Sequence, residues 1–250
     1  MRKKYKLTRE TKKFLDGTVL HRIRAVRDFV LADGTKIRAG DLGGWIECEE
    51  NLSHGGSAWV RDEALIFNKA RVGDDARVCD DARVYGNARI GGRVRVYGQA
   101  WIYGKTWING GVQIGGEAKV FGNAQIYGNA QVYGNALVYD DAQIYGKAEV
   151  CKKTEVFGKG EVFGNAQIYG NARICNIHDY AVFKNTWSSG RYFTYTSSNK
   201  MWKVGCFYGT GEELIAKAYG DSKLSGRCYE AIVRAQEAVD RAVEEEVKVK

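Results

Sequence analysis

Gly122-Asn-Ala-Gln-Ile-Tyr-Gly-Asn-Ala-Gln-Val-Tyr-Gly-Asn-Ala-Leu-Val-Tyr139 is one six-residue phrase said three times. In each phrase Ala stands two positions before a β-branched Ile or Val. Residues two apart on a strand point to the same side, so both face one interior. The β-branched member suits a pleated wall, and the small one suits the cramped space near a corner. The Gly-Asn pair that follows tolerates the backbone of a tight corner.

Working outward in steps of six, the β-branched position runs from Val60 to Ile174. Every position on that path is Val or Ile, without a slip. The partners two places earlier, beginning at Ala58, are all Ala except Val94, Thr106, Val112, Thr154 and Gly160. Three phrases close a triangular coil of about 18 residues, so the run makes six to seven coils stacked at about 4.8 Å, roughly 30 Å of rod. A stack of this kind leaves an open edge at each end, and both need covering. The fold class is therefore mainly β: a three-sided β-solenoid with an N-terminal β cap and a small C-terminal α/β module.

The organisation read from the chain is residues 1–57 as basic tail and β cap, 58–175 as solenoid, and 176–250 as the C-terminal module. In the first part, Val19–Val26 and Phe29–Ala32 have strand character, Asp33-Gly34 is a turn, and Thr35–Arg38 returns. In the last part the period stops at Tyr180. Arg191–Thr196 and Lys200–Tyr208 alternate like two strands. Thr210-Gly-Glu-Glu213 is a capping box that opens a helix. A second helix over about Ser225–Val247 gathers Tyr229, Ile232, Val233, Val239 and Val243 on one face.

The hexads resemble the repeat of left-handed β-helix proteins. Three further stretches are His21-Arg-Ile-Arg-Ala-Val-Arg-Asp-Phe29, Ile37-Arg-Ala-Gly-Asp-Leu-Gly-Gly-Trp-Ile-Glu47 and Asn51-Leu-Ser-His54. They look like the opening of a group of phage and bacterial proteins labelled hexapeptide-repeat transferases or polymer-forming proteins. The resemblance covers about residues 18 to 175. It implies left-handed winding and a phage or mobile-element setting, and it implies a fold far better than an activity.

The chain has 250 residues, no proline and 31 glycines, as turn-rich β proteins often do. No stretch approaches the roughly 18 apolar residues of a membrane span. The opening Met-Arg-Lys-Lys-Tyr-Lys has no apolar run behind it, so a cytoplasmic location is expected. The six cysteines, Cys48, Cys79, Cys151, Cys175, Cys206 and Cys228, form no close pair. Reduced thiols are expected, with no metal site and no cofactor. The net charge is +8, and most of it falls in the stretch from Met1 to Lys13, where seven Lys/Arg stand against one Glu.

Four chemistries bear on these residues. Hexapeptide-repeat acyltransferases need a histidine base between coils, but His21, His54 and His178 all lie outside the hexads, so no catalytic residue is assigned. Cys206 with His178 is a weak nucleophile pair, since a cysteine at a strand end is usually buried and inert. Arg71, Arg77, Arg83, Arg89 and Arg95 recur at every sixth position, a weak candidate for nucleic acid. A step of six changes face, however, so these arginines form a belt interleaved with aspartates, not a groove. The residue after each core Val/Ile points outward, and positions one coil apart share a face. One such column is Phe67, Tyr85, Tyr103, Phe121, Tyr139 and Phe157. This aromatic column is the candidate binding face, for a protein partner or a second copy of the chain. The function expected is a non-catalytic binding scaffold, with counter-defence by capture of a host protein or small nucleotide as its setting. The alternatives are a hexapeptide-repeat acyltransferase and a nucleic-acid-binding protein.

Overall fold

The computed structural model describes residues 2–249. Its centre is an unbroken run of two-residue strands, from β6 (Trp59–Val60) to β25 (Arg173–Ile174). Each pairs in parallel with its counterpart on the next coil, for instance Gln125↔Gln143 and Ile126↔Ile144. The pairings make three parallel sheets, one per side of a triangle. Face 1 carries Ile66, Val84, Ile102, Val120, Val138, Val156 and Ile174; face 2 runs from Val72 to Val162; face 3 runs from Val60 to Ile168. The inward Val/Ile residues and their Ala partners are buried without exception along this path. Burying each Val or Ile contributes about 1.5–3 kcal/mol, and stacking repeats that gain along the rod.

The corners explain the glycines. The residue two places after each core Val/Ile has positive φ at every position from Asp62 to Gly170. That conformation is costly for most side chains, which is why Gly, Asn or Asp recurs there. At Gly116 a second constraint applies: a Cβ would stand 2.8 Å from the backbone nitrogen of Gly134 on the next coil. Lys152, at φ 64°, is the one corner residue on this path that is none of these three types.

The rod starts earlier than the unbroken period suggests. The strand β5 (Leu42–Ile46) pairs in parallel with Leu65–Ile66, placing Ile46 beside Ile66, and Leu52 bridges Val72. Both pairings reach two positions further along the chain than the regular coil does. The first coil therefore has a longer corner, and the period slips before Ala58.

Backbone polarity sets how the two ends are closed. Each coil donates its N–H groups to the carbonyls of the next, as in Tyr127 N to Ile144 O at 2.9 Å. The N-terminal edge therefore offers bare C=O groups and the C-terminal edge bare N–H groups. At the N-terminal end, donors cover the carbonyls. The Lys4 ammonium reaches Gly55 O and Gly56 O, and the Tyr5 hydroxyl donates to Leu52 O at 2.6 Å. At the C-terminal end, oxygens cover the amides. Phe163 N donates to the Tyr180 hydroxyl, Gln167 N to Thr194 Oγ1, Arg173 N to Ser198 Oγ and Cys175 N to the Asp179 carboxylate. Each cap satisfies groups that would otherwise template pairing with another chain.

The supposed basic tail is a strand. β1 (Tyr5–Lys13) pairs antiparallel with β2 (Val19–Ala25), and β2 pairs with β5, extending face 1. Two cations of this stretch are engaged: Lys3, just before the strand, pairs with Glu49, and Lys12 pairs with Glu63, its ammonium 4.4 Å from the Trp45 ring. A lysine-rich edge strand resists further pairing, a structural role for the charge. The expected hairpin is present as β3 (Phe29–Val30) against β4 (Lys36–Ile37).

The C-terminal module is a four-stranded antiparallel sheet, β26 (Tyr180–Lys184), β27 (Tyr192–Thr196), β28 (Met201–Val204) and β29 (Phe207–Gly209), with two helices, α1 (Gly211–Asp221) and α2 (Lys223–Val249). Lys200–Tyr208 is thus two strands, broken at Gly205, whose φ is 55°. Thr210 caps α1: its hydroxyl accepts from Glu213 N, and the Glu213 carboxylate accepts from Thr210 N. Phe193, Trp202, Leu214, Ile215, Tyr229 and Val233 form the module's core. Val239 and Val243, expected on the same helix face, are more than half exposed, lining an open cleft between α2 and the sheet with Tyr180, Ala181 and Tyr195.

Candidate recognition surfaces

On face 1 the aromatic column is a continuous ladder. Successive ring centroids from Phe67 through Tyr85, Tyr103, Phe121, Tyr139 and Phe157 are 4.9, 5.0, 5.0, 5.1 and 5.4 Å apart, with planes within 12° of parallel. The coil repeat imposes this spacing, since rings one rung apart can only stack. Each ring is half-buried: its faces are covered by its neighbours, and its edge meets solvent. Phe14, from the β1–β2 hairpin, stacks on Phe67 at 6.1 Å. At the far end the Arg173 guanidinium lies 5.1 Å from the Phe157 ring. Burial holds the Tyr85 and Tyr103 hydroxyls above their ordinary pKa. The adjacent column on this face centres on Trp101, with the Arg83 and Lys119 side chains 4.9 and 5.2 Å from its ring.

The five arginines have different fates. Arg77 is mostly buried and pairs with Asp33 of the cap hairpin, while burial and Arg95 both lower its pKa. Arg83 is spent on Trp101. Arg71 and Arg89 lie side by side in register on face 2, and Arg95 lies beside Arg77 on face 3. The structure thus divides the belt. Of the neighbouring pairs, Arg71–Arg89 is the one in which neither guanidinium meets a carboxylate among the described residues.

The sequence reading missed a second belt. Glu149, Glu155 and Glu161 occupy the same outward position on three successive hexads, one full turn of the rod. They accept from the hydroxyls of Tyr133, Tyr139 and Tyr145 at 2.7, 3.4 and 3.3 Å. The regular spacing of the three glutamates, one per hexad, was the available signal.

Face 2 also contains a cleft of about 550 Å³ near its N-terminal end. Its ladder of Tyr127, Tyr145 and Phe163 stops where Asn109, Gly91 and Gly73 replace the rings. His54 borders this cleft from the first coil. Its ring packs at a tilt of 33° against Tyr5, 4.3 Å away, its Nδ1 accepts from Lys4 N, and its Nε2 lies 3.7 Å from Glu49. Burial lowers the His54 pKa, opposed by Glu49.

The cysteine–histidine pair is not assembled. His178 precedes β26 at the end of the sheet where Tyr180 faces Thr196, whereas Cys206 turns between β28 and β29 at the opposite end. Cys206 is exposed, not buried, because Gly205 turns it outward. Among the described residues Asp62, Cys79 and Asp80 bring ligand atoms within 4.8 Å of one another. Two of these groups already serve the corners: Asp62 accepts from Asp80 N, and Asp80 accepts from Gly98 N. No described helix is long and apolar enough to cross a membrane.

A family model described as YdcK Beta solenoid repeat matches residues 76–89, 130–146 and 166–176. The rod is a β-solenoid. The matched stretches fall in its coils, the last ending just past the final rung, and they match a solenoid repeat, not a transferase. No curated protein matches the chain.

Proposed function

We propose that this protein acts by binding, as a non-catalytic scaffold whose face 1 receives a protein partner or a second copy of the chain. The observation that carries the reading is the unbroken six-ring ladder from Phe67 to Phe157 beside the Arg83–Trp101–Lys119 column. Aromatic and arginine side chains near the centre of a patch supply most of the energy of protein interfaces. A rigid solenoid offers them with little ordering cost on association. Left-handed winding and a phage or mobile-element origin rest on the resemblance alone, and with a cytoplasmic location and counter-defence by capture of a host protein or small nucleotide they complete the proposal.

The test is sedimentation velocity and pull-down with the Tyr103→Ala/Phe121→Ala protein, against a control carrying Arg71→Ala/Arg89→Ala on face 2. Loss of self-association or partner capture only in the ring variant supports the reading. Loss only in the arginine variant, falling steeply with added salt, would replace it with nucleic-acid binding.

A further inference from the structure

The gap in the face-2 ladder has the form of a ligand site. Below Tyr127 the outward column holds Asn109, Gly91 and Gly73 in place of rings, and the next residue in the column is Ser53 of the first coil. The column is therefore free of rings over about 10–14 Å at the rung spacing, although the Asp74 carboxylate and the Asn109 amide lie over Gly91, 2.7 and 3.0 Å from where its Cβ would stand. Neither Gly73 nor Gly91 has positive φ, so no corner requires glycine at either position. At Gly73 an added Cβ would meet only Ser53 Cβ, at 3.6 Å. The backbone accepts a side chain at Gly73, and at that rung the space is left open.

The wall beside this trench is chemically specific. Arg71, Arg89 and Trp107 are consecutive members of one in-register column. Like charges directly opposite on neighbouring strands repel. Neither Arg71 nor Arg89 has a carboxylate within ion-pair distance among the described residues. Nearby acids are otherwise engaged: Glu49 by Lys3 and His54, and Asp74 by the Gly92 N–H. Glu50 at the rim feels Arg71 only through space. Trp107 is 43% exposed and tilts at 45° over Tyr127, at the head of the truncated ladder.

We infer that the trench over Gly73, Gly91 and Asn109 binds a small anionic aromatic ligand of the nucleoside monophosphate class. The planar base stacks on the exposed Trp107 ring, outside the Asp74 and Asn109 side chains that lie over Gly91, and the phosphate bridges the paired guanidiniums of Arg71 and Arg89. Arginine forks match phosphate oxygens in pairs, and base–aromatic stacking tolerates any base. The cleft's volume lies in the range of small-ligand sites. The inference stands apart from the face-1 reading, because its residues lie on another side of the rod.

Calorimetric titration of the full chain with AMP, GMP, CMP and UMP, and with adenosine and inorganic phosphate alone, tests it. At least one monophosphate is expected to saturate a single site, with adenosine and phosphate each weaker by about tenfold or more. Gly73→Tyr, which supplies the missing ring, is expected to abolish binding without lowering Tm. Arg89→Gln and Trp107→Ala are each expected to weaken it about tenfold in protein that melts as the parent does. Absence of saturable binding by any monophosphate overturns the inference, as does unchanged affinity in the folded Gly73→Tyr and Arg89→Gln proteins. Phosphate binding as tightly as every monophosphate overturns the aromatic half.

Discussion

Tyr103 and Phe121, on successive coils, stack with ring centroids 5.0 Å apart and planes 2° from parallel. A full coil of chain separates them, and the coil alone fixes their distance. A double-mutant cycle on Tyr103→Ala and Phe121→Ala, followed by chemical denaturation, is expected to give a coupling of about 1 kcal/mol beyond the separate losses. Additive losses would show that each ring is held by its own coil and gains nothing from the stack.

The inward and outward assignment makes a sharp contrast between neighbours. Ile126 is fully buried and Gln125 is exposed. Ile126→Asp places an unpaired carboxylate in the core and is expected to cost several kcal/mol, whereas Gln125→Glu costs under about 0.5 kcal/mol. Equal melting of the two variants would contradict the register of face 2.

Lys152 holds a left-handed conformation at a corner where Gly, Asn or Asp stands elsewhere. Asparagine tolerates that region, and its replacement of lysine leaves the flexibility of the unfolded chain little changed. Lys152→Asn is expected to stabilise the fold by about 1 kcal/mol. A drop in Tm would mean that the lysine side chain makes a compensating contact.

Lys4 closes the N-terminal edge at the cost of a buried ammonium. Burial, with help from Arg27 and against Asp75, pushes its pKa down to about 8. A lysine with a lowered folded-state pKa binds fewer protons folded than unfolded between about 8 and 10.5. Its penalty is therefore complete below about pH 8 and fades as pH rises through that window. Lys4→Met is expected to be more stable than the parent at neutral pH, with the advantage shrinking as the solution is made alkaline. A difference independent of pH would show that the amine is solvated.

The thiols should divide by exposure. Cys175 and Cys206 are exposed, and Cys151 is buried between Tyr133 and Tyr169, with its pKa raised by burial. A thiol titration of the folded protein is expected to show these two exposed cysteines reacting first and Cys151 only on unfolding. Early labelling of Cys151, located by peptide mass mapping, would show that the coil around it opens.

The solenoid and the aromatic column were legible because their signal is periodic: each hexad repeats one local rule, and a spacing of one coil converts directly into contact. β1 escaped detection because its lysines and arginines read as solvated charge, while its pairing depends on β2 and β5. The first coil escaped because a longer corner broke the count. The acidic turn at Glu149, Glu155 and Glu161 carries the same one-per-hexad spacing.

The rung, its inward pair and its corner follow from local sequence alone, since each depends only on neighbours within one hexad. Which arginines are free depends on distant chain, because Asp33 reaches Arg77 from the cap hairpin and Trp101 reaches Arg83 from the next coil. The folded chain also sets how the ends close: amides point one way along the whole rod, so one cap must donate and the other must accept. Lys4 and Tyr5 at one end, and Tyr180, Thr194 and Ser198 at the other, take up those roles only when chain segments far apart in sequence meet the bare edges.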